Sequence, residues 1–93
     1  MVAIKKGENK FYVGENEKDP LAVITYKPAD DGNLIVDYTY VSDELRGEGV
    51  GQQLVEQMVK YAREEDKKLI PECSYAKGKL KNTQAYRDVL YEQ

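Results

Sequence analysis

Ninety-three residues with 41% hydrophobic and a well-mixed 33% charged content leave room for one domain, residues 1–93, with a single modest core, and they exclude a disordered chain. A formal charge of −3 and a pI near 5.0 exclude the broad basic face with which a nucleic-acid binder displaces phosphate counterions. A single cysteine excludes an internal disulfide and fits a reducing compartment.

Met1 to Lys10 holds no apolar stretch of signal-peptide length, and the longest aliphatic run, Leu21 to Ile24, is too short to cross a bilayer. The expectation is a cytoplasmic protein, monomeric, with no membrane or nucleic-acid partner and no metal.

In chain order, Phe11 to Val13 reads as a short apolar strand, ended by Gly14 and the polar run Glu15 to Asp19. Leu21 to Lys27 is β-branched and aromatic. Pro28 with Asp30, Asp31, Gly32 and Asn33 then reads as a hairpin turn, and Leu34 to Val41 as the returning arm. Strict alternation places Leu34, Val36, Tyr38 and Tyr40 on one face of that arm and Ile35, Asp37, Thr39 and Val41 on the other. Bulk on both faces predicts a central strand covered on both sides. Ser42 or Asp43 turns the chain out of it.

A helix should follow, because Val50, Leu54, Met58 and Ala62 recur every four residues and Val55 and Val59 widen the stripe. Gln52, Gln53, Glu56, Gln57, Lys60, Arg63 and Glu64 form its polar face. Lys68 to Pro71 fits a short strand, confined by Pro71 to a strand end or an edge. Ser74 is placed to cap a helix running through Tyr75 to Leu80, and Thr83 a last helix from Gln84 to Tyr91 that buries Tyr86, Val89 and Leu90. The order describes an α/β (α+β) sandwich. Its mixed, mostly antiparallel sheet takes one parallel strand after the crossover helix, and a helical segment closes the chain.

The most informative stretch is Arg46-Gly47-Glu48-Gly49-Val50-Gly51, at the entry to the amphipathic helix. Glycines two apart let the main chain approach a ligand closely, and a helix N-terminus adds unpaired N–H groups and positive potential. Together they suit an anion, most naturally phosphate. Dinucleotide spacing fails, because Gln52 stands where the third glycine is required, and no Walker A sequence is present. What fits is R-x-x-G-x-G, through Arg46, Gly49 and Gly51. Lys77, Lys79 and Lys81 around Gly78 are either a solvated surface or a local attraction for ligand phosphates.

The spacing between strand and helix resembles the pyrophosphate loop of the GCN5-related N-acetyltransferases. The stretch from Tyr38-Thr39-Tyr40-Val41 through Glu44 to Gly51, then Leu54-Val55 and Ala62-Arg63, is similar to a compact subfamily with domains under a hundred residues. Ile70-Pro71-Glu72-Cys73-Ser74-Tyr75 resembles its Cys-x-aromatic segment. The likeness runs from Phe11 to Leu90. It implies a GNAT-like fold, acetyl-CoA as ligand and an amine of unknown identity as acceptor. By the same resemblance the amides of Arg46, Gly47, Glu48, Gly49, Val50 and Gly51 would hold the pyrophosphate, with Leu45 and Gln52 beside them in the cofactor site. Val41 would pair with the pantetheine arm, Cys73 would lie at the acetyl end, and Ser74 would also belong to the cofactor site.

Two departures stand out. Tyr38 replaces the histidine usual before Thr39, and Thr83-Gln84 replaces a His-Pro pair; the chain contains no histidine. The side chain best suited to proton transfer near neutral pH is therefore absent.

The chemistry then falls to other groups. A backbone N–H at the bend after Val41 can polarise the thioester carbonyl. Glu44 or Asp37 can act as a base through water, or each is an ordinary solvated carboxylate. Cys73, at a helix start, is either a stabilised thiolate beside the acetyl group or a small buried hydrophobe. Tyr38 can replace the histidine only as a hydrogen-bond donor or acid, since a phenol with a pKa of about 10 is a poor base; the other reading packs it on the sheet. Tyr86 is a proton donor to the thiolate or a core residue, and Tyr75 reads as packing beside Cys73. The expected function is N-acetyl transfer from acetyl-CoA to an amine. The alternative is a non-catalytic acetyl-CoA-binding module or sensor.

Overall fold

The computed structural model describes residues 3–91. One five-stranded sheet runs in sequential order: β1 (Lys5–Gly7), β2 (Lys10–Val13), β3 (Ala22–Pro28), β4 (Leu34–Val41) and β5 (Leu69–Pro71). All neighbours are antiparallel except β4 and β5, which are parallel and joined through α1 (Val50–Glu65). α2 (Ser74–Asn82) follows β5. The mixed sheet with its crossover helix is the architecture expected from the sequence.

α1 buries the stripe that its periodicity indicates: Val50, Leu54, Val55, Met58, Val59 and Ala62, together with Gly51. These residues pack on Phe11 and Val13 of β2, Ala22, Ile24 and Tyr26 of β3, and Leu34 and Val36 of β4, with Ala76 and Leu80 of α2 in the same core. Truncating a fully buried member such as Leu54 to alanine costs about 2–5 kcal/mol. At one end of the core Phe11, Tyr26 and Tyr61 cluster, with ring centroids 5.5–6.0 Å apart.

β4 departs from strict alternation. Thr25 pairs with Tyr38 but Tyr26 pairs with Val36, so Asp37 is an extra residue on β4, a β-bulge. Thr25 Oγ1 donates to Asp37 Oδ1 at 2.5 Å and holds the bulge. Beyond it the faces exchange: Thr39 and Val41, opposite Ile24 and Ala22, continue the core side, while Tyr38 and Tyr40 turn outward, 53% and 42% exposed. The strand is therefore covered on one side only over its second half. No sequence periodicity marks an inserted residue whose neighbours are all bulky.

The chain end also differs from expectation. Ser74 is the first residue of α2 and not its cap; the cap position is Cys73, without a side-chain hydrogen bond. Thr83 precedes only a 3-10 turn, Gln84–Tyr86, again uncapped by its side chain. Further on, Leu90 bridges Leu69, with Leu69 N–H donating to the Val89 carbonyl at 2.6 Å and Tyr91 N–H to Leu69 at 2.9 Å. Pairing with the sheet edge outcompetes a final helix. Arg63 fastens this segment to α1 through both Asp88 carboxylate oxygens at 2.8 and 2.9 Å and the Ala85 carbonyl at 2.7 Å.

Candidate functional site

Where β4 and β5 part, the fold opens a groove. Their ladder covers only Leu34 to Val36 against Leu69 to Pro71. Past that point the Glu72 and Cys73 amides both donate to the Val36 carbonyl, at 2.9 and 3.1 Å, and turn the chain away from the sheet. The edge of β4 from Thr39 to Val41 has no strand beside it among the described residues. Thr39 N–H is directed toward Cys73. Val41 N–H, two residues on, projects from the same edge.

The groove encloses about 370 Å³ and is lined by Thr39 and Val41 of β4, Leu45, Arg46, Gly47, Gly49, Val50 and Gly51 of the following loop and α1, and Tyr75 of α2. A 3-10 turn, Asp43–Leu45, carries the chain out of β4. Gly47 and Gly49 have φ of +86° and +72°, a region that side chains rarely adopt, and a Cβ at either would meet nothing within 4 Å. The space over the loop is thus open to a ligand. Gly49 is the N-cap of α1 and supplies no capping side chain; the first helical bond at this end is Gln53 N–H to Gly49 at 3.1 Å. The amides of Val50, Gly51 and Gln52 before it belong to the uncapped first turn, which carries no acidic residue. The arrangement suits an anion.

Gly51 has a different role. A Cβ there would collide with the Tyr75 ring, whose Cζ lies 2.8 Å from that point, and with its hydroxyl. Glycine at 51 admits Tyr75, which then forms the far wall of the groove. Burial raises the Tyr75 hydroxyl pKa and keeps it protonated. Reading Tyr75 as packing beside Cys73 missed this contact, for which the sequence offered only the spacing from cysteine to aromatic residue.

Cys73 is half-buried at the inner end, its Sγ 3.4 Å from Thr39 Oγ1. Burial pushes the thiol up. The neighbouring Thr39 hydroxyl and the dipoles of the nearby Ala76, Tyr75 and Thr39 amides outweigh that effect and hold it below the ordinary cysteine value.

Of the residues singled out from the sequence, Val41, Leu45, Arg46, Gly47, Gly49, Val50 and Gly51 come together around the groove, with Cys73 bonded to its lining residue Thr39. Arg46 is exposed and paired with Asp43 at 3.1 Å. Glu44 and Glu48 are exposed and do not line the groove, nor does Ser74 at the head of α2. Gln52 turns its side chain toward the Tyr86 hydroxyl at 3.2 Å and Glu56 Oε1 at 3.4 Å, leaving only its main chain near the loop. Tyr86 is buried away from the lining. Tyr38 is carried to the opposite face by the Asp37 bulge. At the bend after Val41, where the sequence suggests a backbone N–H to polarise a carbonyl, the Ser42 amide is taken by the Leu21 carbonyl at 2.8 Å. Thr39, unassigned to the site beforehand, faces it because of the same bulge.

Among the described residues no group of histidine, cysteine and carboxylate side chains stands ready to hold a metal, and no helix is long and apolar enough to cross a membrane.

The profile of the GCN5-related N-acetyl-transferase family matches residues 10–89. Among solved structures, a GCN5-like candidate N-acetyltransferase of Staphylococcus aureus is 46% identical, with a TM-score of 0.84 over 99% of this chain and 90% of that one. An integron cassette protein from a salt-marsh metagenome is 15% identical, with a TM-score of 0.57 over 90% of this chain and 58% of its own. A ribosomal-protein-alanine N-acetyltransferase of Brucella melitensis is 18% identical, with a TM-score of 0.52 over 90% and 63%. The last two likenesses concern the fold alone. No curated protein matches the chain.

Proposed function

Since the chain belongs to the GCN5-related N-acetyltransferase family, we propose that it binds acetyl-CoA in the groove between β4 and α2 and moves the acetyl group to an amine. The observation that carries this reading is the junction of a free strand edge with a glycine loop at an uncapped helix start, both lining one 370 Å³ groove. The diphosphate is held by the amides from Arg46 to Gly51, with the helix dipole favouring its charge. The amide-bearing pantetheine arm pairs with the free edge at Thr39 and Val41, as an added strand would. That direction brings the thioester to the gap beside Cys73.

In the transfer, the amine nitrogen forms a bond to the thioester carbonyl carbon, the C–S bond breaks, and the coenzyme leaves as thiolate and takes up a proton. The amides on the free edge, not that of Ser42, are the donors placed to stabilise the carbonyl oxygen. The proton released by the amine goes to water. Asp37, held by Thr25 at the bulge, does not line the groove. Cys73 is placed either to orient the acetyl group or to accept it as a thioester before the amine attacks.

Thermal unfolding with and without acetyl-CoA tests the binding step, since a ligand taken up only by the folded chain stabilises it by about 2.7 kcal/mol at a hundred times its dissociation constant. Release of free thiol in the presence of an amine panel tests the transfer. An unmoved melting temperature contradicts the first step. A raised melting temperature without amine-dependent thiol release leaves a binding module.

A further inference from the structure

The far wall of the groove carries a charge that the transfer itself does not use. α2 presents three lysines, of which Lys77 and Lys81 are exposed while Lys79 is half-buried. The Lys79 ammonium sits 5.6 Å from the centroid of the Tyr75 ring, one helical turn back on the same face. Tyr75 in turn lines the groove and rests against Gly51 in the first turn of α1. A continuous set of contacts therefore runs from the loop amides, across the tyrosine ring, to a cation held at the groove's rim.

That cation has no carboxylate partner among the described residues, whereas Arg46, the other cation at the groove, is paired with Asp43. Uncapped amides are neutral donors, suited to the diphosphate they face. They leave a second, separate phosphate without a counter-charge. Coenzyme A carries such a group on the ribose 3′ oxygen, with a charge of about −1.5 to −2 near neutral pH. On a chain of net charge −3, a lysine at the rim without a carboxylate partner offers such a group a counter-charge.

We propose that Lys79 pairs with the ribose 3′-phosphate of the coenzyme and makes the groove selective for acetyl-CoA over its 3′-dephospho form. The assignment rests on the acetyl-CoA reading given above. Tyr75 acts as the spacer that sets the ammonium's distance from the diphosphate amides, and Lys77, on the other side of the helix, takes no part.

Calorimetric titration of acetyl-CoA and of acetyl-3′-dephospho-CoA into the wild type, Lys79→Gln and Lys77→Gln tests it. The wild type should bind acetyl-CoA about fivefold more tightly than the dephospho form, a ratio that shrinks as salt is added. Lys77→Gln should keep the ratio. Lys79→Gln should bring it to about one by weakening acetyl-CoA alone, with the circular dichroism of the folded chain retained because glutamine suits a helix. Equal wild-type affinities, or a ratio that survives Lys79→Gln, overturn the assignment while acetyl-CoA binding stands. No binding of either form by the folded wild type overturns the acetyl-CoA reading and the assignment with it.

Discussion

Cys73 Sγ and Thr39 Oγ1 lie 3.4 Å apart across the gap where β4 and β5 separate. The hydroxyl, with nearby amides, outweighs burial and lowers the thiol pKa. Thr39→Val keeps the volume and removes that partner, so the Cys73 thiol should titrate at higher pH. Alkylation by iodoacetamide near neutral pH should slow several-fold, and the midpoint of its pH–rate profile should move upward. A midpoint that stays in place would show that the threonine does not tune the cysteine.

Gly49→Ala puts a side chain at a φ of +72°, which costs about 1–2 kcal/mol of stability. The added Cβ has free space around it in the protein but stands over the loop. Acetyl-CoA affinity should fall at least tenfold, well beyond the stability loss, in a titration carried out where the variant is fully folded. Unchanged affinity would remove this residue from the phosphate site.

Gly51→Ala should force the Tyr75 ring away, since a Cβ there cannot coexist with its present position. The expected cost is about 1–3 kcal/mol in chemical denaturation. The same substitution combined with Tyr75→Ala should cost much less than the sum of the two. Additive losses would mean that the two residues are not coupled.

The sequence disclosed the glycine loop, α1 and its buried face, and the crossover into a parallel strand, because each rests on local spacing. What it concealed depends on contacts between distant segments. The bulge at Asp37 needs Thr25 of the neighbouring strand to hold it, and without it alternation puts Tyr38 and not Thr39 toward the core face. β1, with the sequence Lys5-Lys6-Gly7, has no apolar pattern at all and exists through main-chain pairing with β2. The residues after Thr83 carry helix-like spacing, yet Leu90 is drawn to Leu69 on the sheet edge. The meeting of Tyr75 with Gly51 joins α2 to the start of α1, which no local pattern reports.

Tyr38→Phe should leave thiol release within about twofold of the wild type, because its side chain is 53% exposed on the face away from the groove. A loss of tenfold or more at unchanged acetyl-CoA affinity would restore the hydroxyl to the reaction, as an acceptor-side group.

The central claim is that bare main chain at the start of α1 grips the coenzyme's diphosphate. Titration of isotopically labelled protein with acetyl-CoA, followed amide by amide, tests it most directly. The account predicts the largest shifts at residues 46–52, with a second set at Thr39 and Val41 along the free edge of β4. Saturation with the coenzyme that leaves those resonances unmoved would contradict it.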